Sequence, residues 1–406
     1  MDVILSILYA TIVLGILVVI HEGGHYLASR AFGVRVTEFM VGLPGPNISI
    51  KRGETRFGVT CIPLGGYARV CGMEPGEESP HLAGALASVY RRGTCNMEDV
   101  AADLGIEPDD AYTALEELVE WGSITGPRKT DAYNTFRTPE FVKLSPSRAA
   151  RKLRARAMAR RSTRVAAHDT GIVAREVAPH LPGAALTQAE IFGDLSQIQR
   201  EEGAPRPVAD AQAFYEYERS RTYRSLPFWK RSVILLAGPG VNVLFAILVF
   251  LVVYSFIGVD YVDEAGAMQH VVLSPLRALQ VGFNYIGMVF VAILGLFNPQ
   301  TAAQTVSDST SIVGIAVLSK TAAEQGLLSF TMFSAMLSVS LGLMNMLPIP
   351  PLDGGRFIVE IYQKIRGKFI SPKALNSLSI AGVTLFVLFF LVMLNQDIQR
   401  FVLGNW

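Results

Sequence analysis

Two histidines and a glutamate stand close together near the start of the chain, in the sequence His21-Glu22-Gly23-Gly24-His25. On a helix, positions four apart lie on one face, so His21 and His25 can bind one metal ion. Imidazole is a good ligand for zinc, and Glu22 is placed to accept a proton from a water bound at the metal. The five-residue pattern alone is a weak signal, because a pair of surface histidines past a helix would look the same.

This pattern directly follows an apolar stretch, Val3–Ile20, that is long enough to cross a membrane. Ionisable groups at membrane depth are costly and usually functional, and a zinc ion supplies the partner that they need. A catalytic zinc usually takes three protein ligands and lowers the pKa of a bound water to roughly 7. The position of the pattern therefore predicts a hydrolytic zinc centre with a third ligand elsewhere in the chain.

The candidate for that third ligand is Asp353, within the polar and proline-rich stretch Asn345–Gly355. Three prolines within Pro348–Pro351 stop the preceding helix and hold the backbone extended. Taken alone, Asp353 resembles an ordinary helix-stop aspartate. Because it lies at about the same depth as His21 and His25, the metal interpretation is favoured.

Hydropathy indicates a protein that is partly membrane and partly soluble, since the 406 residues are 50% hydrophobic and 17% charged. The first apolar stretch has no Lys or Arg before it and no small-x-small cleavage site after it, so we expect a retained anchor rather than a secretion signal. Apolar stretches of about 20 residues predict four transmembrane helices. These stretches are Val3–Ile20, Val233–Ile257, Leu327–Leu347 and Leu378–Leu394.

A fifth apolar segment, Gly282–Phe297, is short and is interrupted by Asn284 and three glycines. Lys and Arg concentrate in cytoplasmic loops, and with four spans every basic cluster lies on one side. We therefore predict that 278–298 is re-entrant or amphipathic near the outer face of the cell membrane. The predicted topology has the N-terminus outside, 21–232 inside, 258–326 outside, 348–377 inside and the C-terminus outside.

The order of these motifs resembles the site-2 protease family, in particular its RseP-like branch. Residues 21–25 resemble the first zinc motif of that family and residues 345–354 the second. Residues 228–242 are similar to its second-span signature, and Lys51–Tyr67 to its membrane-associated β-element. Together the similar regions cover about 1–75 and 222–395.

This resemblance implies a zinc-dependent endopeptidase that cuts in or near the transmembrane segments of other proteins, such as anti-sigma factors or remnant signal peptides. It implies that His21, His25 and Asp353 bind zinc. Glu22 would act as the general base and later as the acid that protonates the leaving amine. Asn345 would bind the substrate backbone or steady the oxyanion.

The resemblance also implies that strands within 48–70 bind the substrate by strand addition. A peptide bond within a helix is shielded, so the substrate must be extended before water can attack it. We expect the open edge of the β-element at 56–62.

The chain departs from the RseP-like pattern in where it carries its extra residues. The outer segment 258–277 is too short for the PDZ domain found there in such proteins, and the additional residues form an insertion at 76–220. Helical patterns followed by a possible β-hairpin predict a winged-helix-like domain at about 79–140, although a small helical domain without a wing remains the alternative. The predicted elements are helices at His81–Arg91, Met97–Leu104 and Asp109–Trp121, and a hairpin at Ser123–Thr138.

The charge of the insertion bears on its partners. The third predicted helix is acidic and has no Lys or Arg, which disfavours nucleic acid and favours a regulatory protein. Residues 143–164 contain nine Lys or Arg and no acid, which favours contact with anionic lipid. A solvated helix face, a linker and nucleic acid remain open for this run.

We therefore expect an α-helical membrane protein with four transmembrane helices, a membrane-associated β-element and an inserted cytoplasmic α+β domain. Its expected divisions are 1–75, 76–220 and 221–406. Alternative functions are an inactive relative that acts as a scaffold or sensor, a membrane-tethered DNA-binding regulator and a zinc transporter. The intact Glu22 argues against the first, the acidic helix against the second, and the scarcity of polar residues in the spans against the third.

Overall fold

The computed structural model describes residues 2–62, 65–74, 76–131, 133–144, 155, 186–262, 267–368 and 370–403. Within these ranges, long apolar helices form a bundle, a four-stranded sheet follows the first helix, and an inserted α+β unit follows the sheet. Most of the basic run predicted at 143–164 lies outside the described residues.

The elements are numbered here in chain order. The helices are α1 (Asp2–Ala31), α2 (Leu82–Arg92), α3 (Met97–Leu104), α4 (Pro108–Glu120), α5 (Gln188–Phe192), α6 (Ala211–Arg219), α7 (Phe228–Val252), α8 (Pro275–Gly295), α9 (Ala302–Asp308), α10 (Ile312–Glu324), α11 (Leu327–Asn345), α12 (Asp353–Arg366) and α13 (Pro372–Asp397). The strands are β1 (Val36–Val41), β2 (Asn47–Arg52), β3 (Thr55–Thr60), β4 (Gly66–Val70), β5 (Thr94–Cys95), β6 (Phe136–Arg137), β7 (Val259–Val262) and β8 (Met268–Val271).

Five helices of the described chain, α1, α7, α8, α11 and α13, are long and apolar enough to cross a membrane. Four of them coincide with the predicted spans. The additional one, α8, is a continuous helix of 21 residues over the segment predicted to be re-entrant or amphipathic, so the described chain has five candidate spans where the sequence predicted four. Its glycines each cost about 1 kcal/mol of helix stability, and packing offsets this cost because Gly282 and Tyr285 lie against Phe250 of α7.

Helix α7 lies at the centre of the bundle, between α1 and α11. A side chain on Gly24 of α1 would collide with the backbone of Ala237 in α7, so only a glycine lets these two helices come so close. On the other side, the Ser338 hydroxyl of α11 donates a 2.9 Å hydrogen bond to the Asn242 carbonyl of α7. This packing fixes the depth at which the end of α1 meets its neighbours.

The sheet that follows α1 has the strand order β2-β3-β1-β4. Strand β1 runs parallel to β3 and antiparallel to β4, so Phe39 lies between Phe57 and Ala68. Strand β3 therefore has a partner on each side, and the open edge that we expected at 56–62 is not there. The edges are β2 and β4, and β4 is the one that packs beside α1.

The inserted unit contains three helices within one residue of their predicted positions. Helix α3 begins with a capping box, in which Asn96 and Asp99 bond to each other's backbone amides. Strand β5 pairs with β6, and Thr125 forms a bridge with Arg137. One apolar core joins these elements to the later helices α5 and α6, and its buried members include Leu86, Leu115, Trp121, Phe136, Phe192 and Phe214.

A buried ion network ties the inserted unit to the sheet. Arg35, which is 5% exposed, donates hydrogen bonds to Glu54 of the sheet at 3.0 Å and to Glu218 of α6 at 2.7 Å. Arg221 pairs with Glu54 as well. Although burial opposes ionisation, the charges of Arg35 and Arg221 lower the pKa of Glu54 to about 2. The network therefore keeps its charges at neutral pH and holds the two units together.

Replacing Glu218 with alanine should strongly destabilise the protein, because it leaves the buried Arg35 without one of its two carboxylate partners. Breaking such a buried pair costs about 3–5 kcal/mol. The exposed Lys51–Glu140 pair provides the control, since Glu140→Ala should cost no more than about 1 kcal/mol. Thermal unfolding of the purified protein in detergent measures both variants, and equal midpoints would contradict the prediction.

Candidate metal centre

Three side chains from opposite ends of the sequence meet at the end of α1. The Nε2 atoms of His21 and His25 lie 3.1 and 3.2 Å from Oδ2 of Asp353, and 3.4 Å from each other. Both histidines are 8% exposed. Asp353 begins α12, directly after the proline-rich turn. Helix α1 supplies the imidazoles on one face, and the turn delivers the carboxylate to them.

The spacing of these three atoms fits a zinc ion. Zinc bonds to nitrogen and oxygen ligands are about 2.0–2.2 Å long, and the corners of such a tetrahedron lie roughly 3.3–3.5 Å apart. The observed separations of 3.1–3.4 Å are close to that geometry. Two imidazoles and one carboxylate also form a ligand set that catalytic zinc sites use, with one position left for water or substrate.

Hydrogen bonds on the far side of the rings fix which nitrogen faces the centre. His25 Nδ1 lies 2.8 Å from the Ile234 carbonyl oxygen, which can only accept, so Nδ1 carries the proton and Nε2 keeps a free electron pair. His21 Nδ1 lies 3.3 Å from the amide nitrogen of Asn242. The amide oxygen of Asn242 is buried and has no hydrogen-bond partner among the described residues.

Rotating the Asn242 amide by half a turn resolves that orphaned oxygen. Amide oxygen and nitrogen are assigned from hydrogen bonding, and the oxygen of the rotated amide would accept a hydrogen bond from His21 Nδ1–H. His21 Nε2 then also presents an electron pair to the centre. Two imidazole nitrogens that can present electron pairs and one carboxylate oxygen, all within 3.4 Å of one another, form a donor set that fits a metal ion.

Close packing limits the freedom of His25. A side chain on Gly238 of α7 would collide with the His25 ring. The histidine therefore fits between α1 and α7 only because this position of α7 is a glycine. The same close approach places the Ile234 carbonyl beside His25 Nδ1.

A cleft of about 1350 Å³ opens from the three ligands toward the inserted unit. Glu22, Asn345 and all five residues of β4 line it. Gly66 of β4 packs against Glu22 and Val18 of α1, so the edge of the sheet lies beside the predicted base. Asn345 is at the end of α11, where its amide donates a 3.1 Å hydrogen bond to the Leu341 carbonyl. It borders the cleft and is not one of the three clustered ligands.

Comparison with known proteins now identifies the family. The model of peptidase family M50 matches residues 9–389. The chain belongs to peptidase family M50. It is 26% identical to the zinc metalloprotease RasP of Geobacillus kaustophilus over 98% of this chain and 99% of RasP. It is 24% identical to the probable protease eep of Enterococcus faecalis over 98% and 99% of the two chains, and 24% identical to a putative zinc metalloprotease of Staphylococcus aureus over 99% and 100%.

Membership in family M50 confirms the resemblance to site-2 proteases that the motifs indicated. The chain is a zinc metalloprotease with several apolar helices suited to a membrane, and its activity is the hydrolysis of peptide bonds. The non-proteolytic alternatives are not favoured.

The sequence interpretation missed two groups that aim the histidines, the Ile234 carbonyl and Asn242. A backbone carbonyl leaves no trace in a sequence. Asn242 did give a signal, because an asparagine inside an apolar span is expensive and usually has a function. The helix crossing that turns it toward His21 is visible only in the structure.

Replacing Asn242 with alanine should weaken zinc binding about 10–100-fold, the usual effect of losing a group that orients a metal-binding histidine. Asn284→Ala provides the control, since Asn284 is an exposed amide on α8. Competition with a chelator of known zinc affinity measures both variants. Equal affinities for Asn242→Ala and wild type would show that the amide does not orient His21.

Proposed function

We propose that this family M50 protease hydrolyses peptide bonds in or near the transmembrane segments of other membrane proteins, using zinc held by His21, His25 and Asp353. The observation that supports this assignment is the convergence of the three ligand atoms, within 3.4 Å of one another, at the end of an apolar helix. Single-span proteins such as anti-sigma factors and remnant signal peptides are the substrate classes that the motif resemblance suggests.

Glu22 is the proposed proton carrier of the reaction. When zinc is bound, it acts as a Lewis acid that activates water and polarises the peptide carbonyl. Glu22 accepts a proton from the attacking water and passes it to the leaving amine nitrogen as the carbon–nitrogen bond breaks. One water is consumed, and a carboxyl group and an amine are formed. Asn345, on the wall of the same cleft, is proposed to bind the substrate backbone.

Strand β4 is the proposed binding edge for an extended substrate. Successive residues of a strand point to opposite faces, so a strand that lines a cleft along every residue does so with its edge. All of Gly66–Val70 line the cleft, and β4 has no strand on its far side among the described residues. Strand addition at this edge would extend the substrate beside Glu22.

Four complete membrane crossings remain the proposed topology, with α8 re-entrant. Ile234, near the start of α7, lies beside the metal centre. The segment that follows the other end of α7 is bonded to that end by the hydrogen bond from Leu273 N–H to the Tyr254 carbonyl. Gly382 of α13 lies against Pro350, near the metal centre, and the helix ends at Asp397.

The contacts at the end of α13 also support four complete crossings with α8 re-entrant. Asp397 accepts hydrogen bonds from the Ser311 and Gly314 amides at the start of α10, at 2.6 and 3.0 Å. Both ends of the region 258–311 thus lie away from the metal, so α8 and α9 enter and leave on the same side. With basic residues in cytoplasmic loops, the N-terminus is outside and 21–232 is cytoplasmic.

The inserted unit is proposed to be a winged-helix-like domain that binds a regulatory protein or anionic lipid rather than nucleic acid. The order of α2, β5, α3, α4 and β6 supports the fold, and the acidic residues of α4 support the choice of partner. The described part of the outer segment between α7 and α8 contains one π-helical turn, Val253–Ile257, and the short β7–β8 hairpin, which supports the proposed lack of a PDZ domain there.

Cleavage of a tagged single-span substrate by the purified protein tests the proposed roles. Glu22→Gln should lower kcat by about 10²–10⁴-fold, the contribution typical of a general base, while one zinc per chain is retained. Asp353→Ala should lose the zinc as well as the activity, because it removes one of three ligands. A Glu22→Gln enzyme with wild-type kcat, or an Asp353→Ala enzyme that binds zinc normally, would contradict the assignment.

Proline in β4 should impair substrate binding, because proline has no N–H for a strand added at the edge. Alternate residues of a strand direct their N–H to opposite sides, so Tyr67→Pro and Ala68→Pro are made separately. At least one should lower kcat/KM roughly tenfold with zinc retained. Ile50→Pro, in the other edge strand β2, provides the control, and an equal loss there would argue against β4.

A further inference from the structure

The chain that leaves β4 is held by the inserted unit. We name residues 71–79 the post-strand segment; it runs from the substrate edge proposed above to the turn before α2. Two carboxylates of α4 bind its backbone. Glu120 accepts hydrogen bonds from the Met73 and Glu74 amides at 2.8 and 3.2 Å, and Glu117 accepts one from the Ser79 amide at 3.0 Å.

These two acids occupy positions where they can act together. They are three residues apart on α4, which places them on one face of the helix. They accept hydrogen bonds from amides near the two ends of the post-strand segment, so α4 holds the segment at both ends. The acidic character of α4, which disfavoured DNA as a partner, therefore has a structural use inside the protein.

The post-strand segment also contacts the helix that carries Asp353. An Arg356 Nη1 atom of α12 lies 3.3 Å from the Met73 sulfur. Arg224 donates hydrogen bonds to Glu117, at 3.1 Å, and to the Glu74 carbonyl. Met73 thus lies between α4 on one side and α12 on the other, and both β4 and α12 border the catalytic cleft.

The burial of Glu120 disfavours the charged form of its carboxyl group, which suggests that its hydrogen bonds have a use. Burial raises its pKa to about 7, even though the Glu74 and Met73 amides favour the charged form. A polar exposed residue at the end of α4 would avoid this cost. The two amides that it accepts are the first of the post-strand segment after Gly72, where small movements would reach β4 directly.

We propose that Glu120 is a positioning residue for substrate binding, which aligns the free edge of β4 with the metal centre by holding the post-strand segment. Through it the inserted unit forms part of the substrate-binding apparatus and can govern access to the cleft from the cytoplasmic side. The inference rests on the proposed function, because β4 is the proposed substrate strand. It extends that function by giving the inserted unit a direct role at the site.

Steady-state cleavage of the tagged single-span substrate tests the proposal. Glu120→Ala should raise KM about tenfold and leave kcat within about twofold, since two hydrogen bonds to the segment are lost while the proposed metal ligands are untouched. Glu120→Gln should restore KM to within about threefold of wild type, because its amide oxygen can still accept. Glu98→Ala removes one acid from an exposed position on α3 and should behave as wild type.

Binding measured without cleavage separates this proposal from the proposed activity. In a Glu22→Gln background, adding Glu120→Ala should weaken binding of the same labelled substrate about tenfold, whether or not the parent enzyme cleaves it. Unchanged binding and KM in Glu120→Ala would overturn the proposal, as would a fall in kcat at constant KM. If Glu120→Ala fails to retain zinc, Glu120→Asp is measured instead, since it keeps the charge and shortens the reach; an unchanged KM there would also overturn the proposal.

Discussion

Three electron-rich atoms face one point at the edge of a membrane bundle, and most of the surrounding structure serves to keep them there. The ligand atoms of His21, His25 and Asp353 lie 3.1–3.4 Å apart, close enough to share one ion. The Ile234 carbonyl and Asn242 turn the two rings, and the glycine-lined crossing of α1 and α7 leaves the space for them. A metal bound at these residues would offset the cost of gathering them at low dielectric.

The sequence made some of this predictable because certain signals are local. Helical periodicity places His21 and His25 on one face with Glu22 beside them, and hydropathy places Asp353 at a similar depth. The role of Asn242 was not predictable in this way, since it depends on how two helices cross. The error in the sheet has the same origin, because the pairing of β1 with β3 converts an expected edge into an interior strand. The length of α8 is a further tertiary effect, since packing against Phe250 stabilises that helix despite its glycines.

The inserted unit is joined to the catalytic core more firmly than a tethered domain would be. Arg35, close after the metal helix, is buried between acids of the sheet and of α6. Domains linked only by flexible connections move relative to one another by default. Here the charged network, and the hydrogen bonds that Glu117 and Glu120 of α4 accept from the post-strand segment, join the inserted unit to the wall of the cleft. Such a connection is the physical requirement for a signal received by that unit to change proteolysis.

The long separation between the ligands along the chain has a consequence for the making of the enzyme. Asp353 is synthesised 332 residues after His21. At roughly 5–20 residues per second, the ribosome needs on the order of 20–60 s to supply the third ligand after the first. During that interval the nascent chain contains His21 and His25 but lacks Asp353. The proposed metal centre can therefore be completed only near the end of translation.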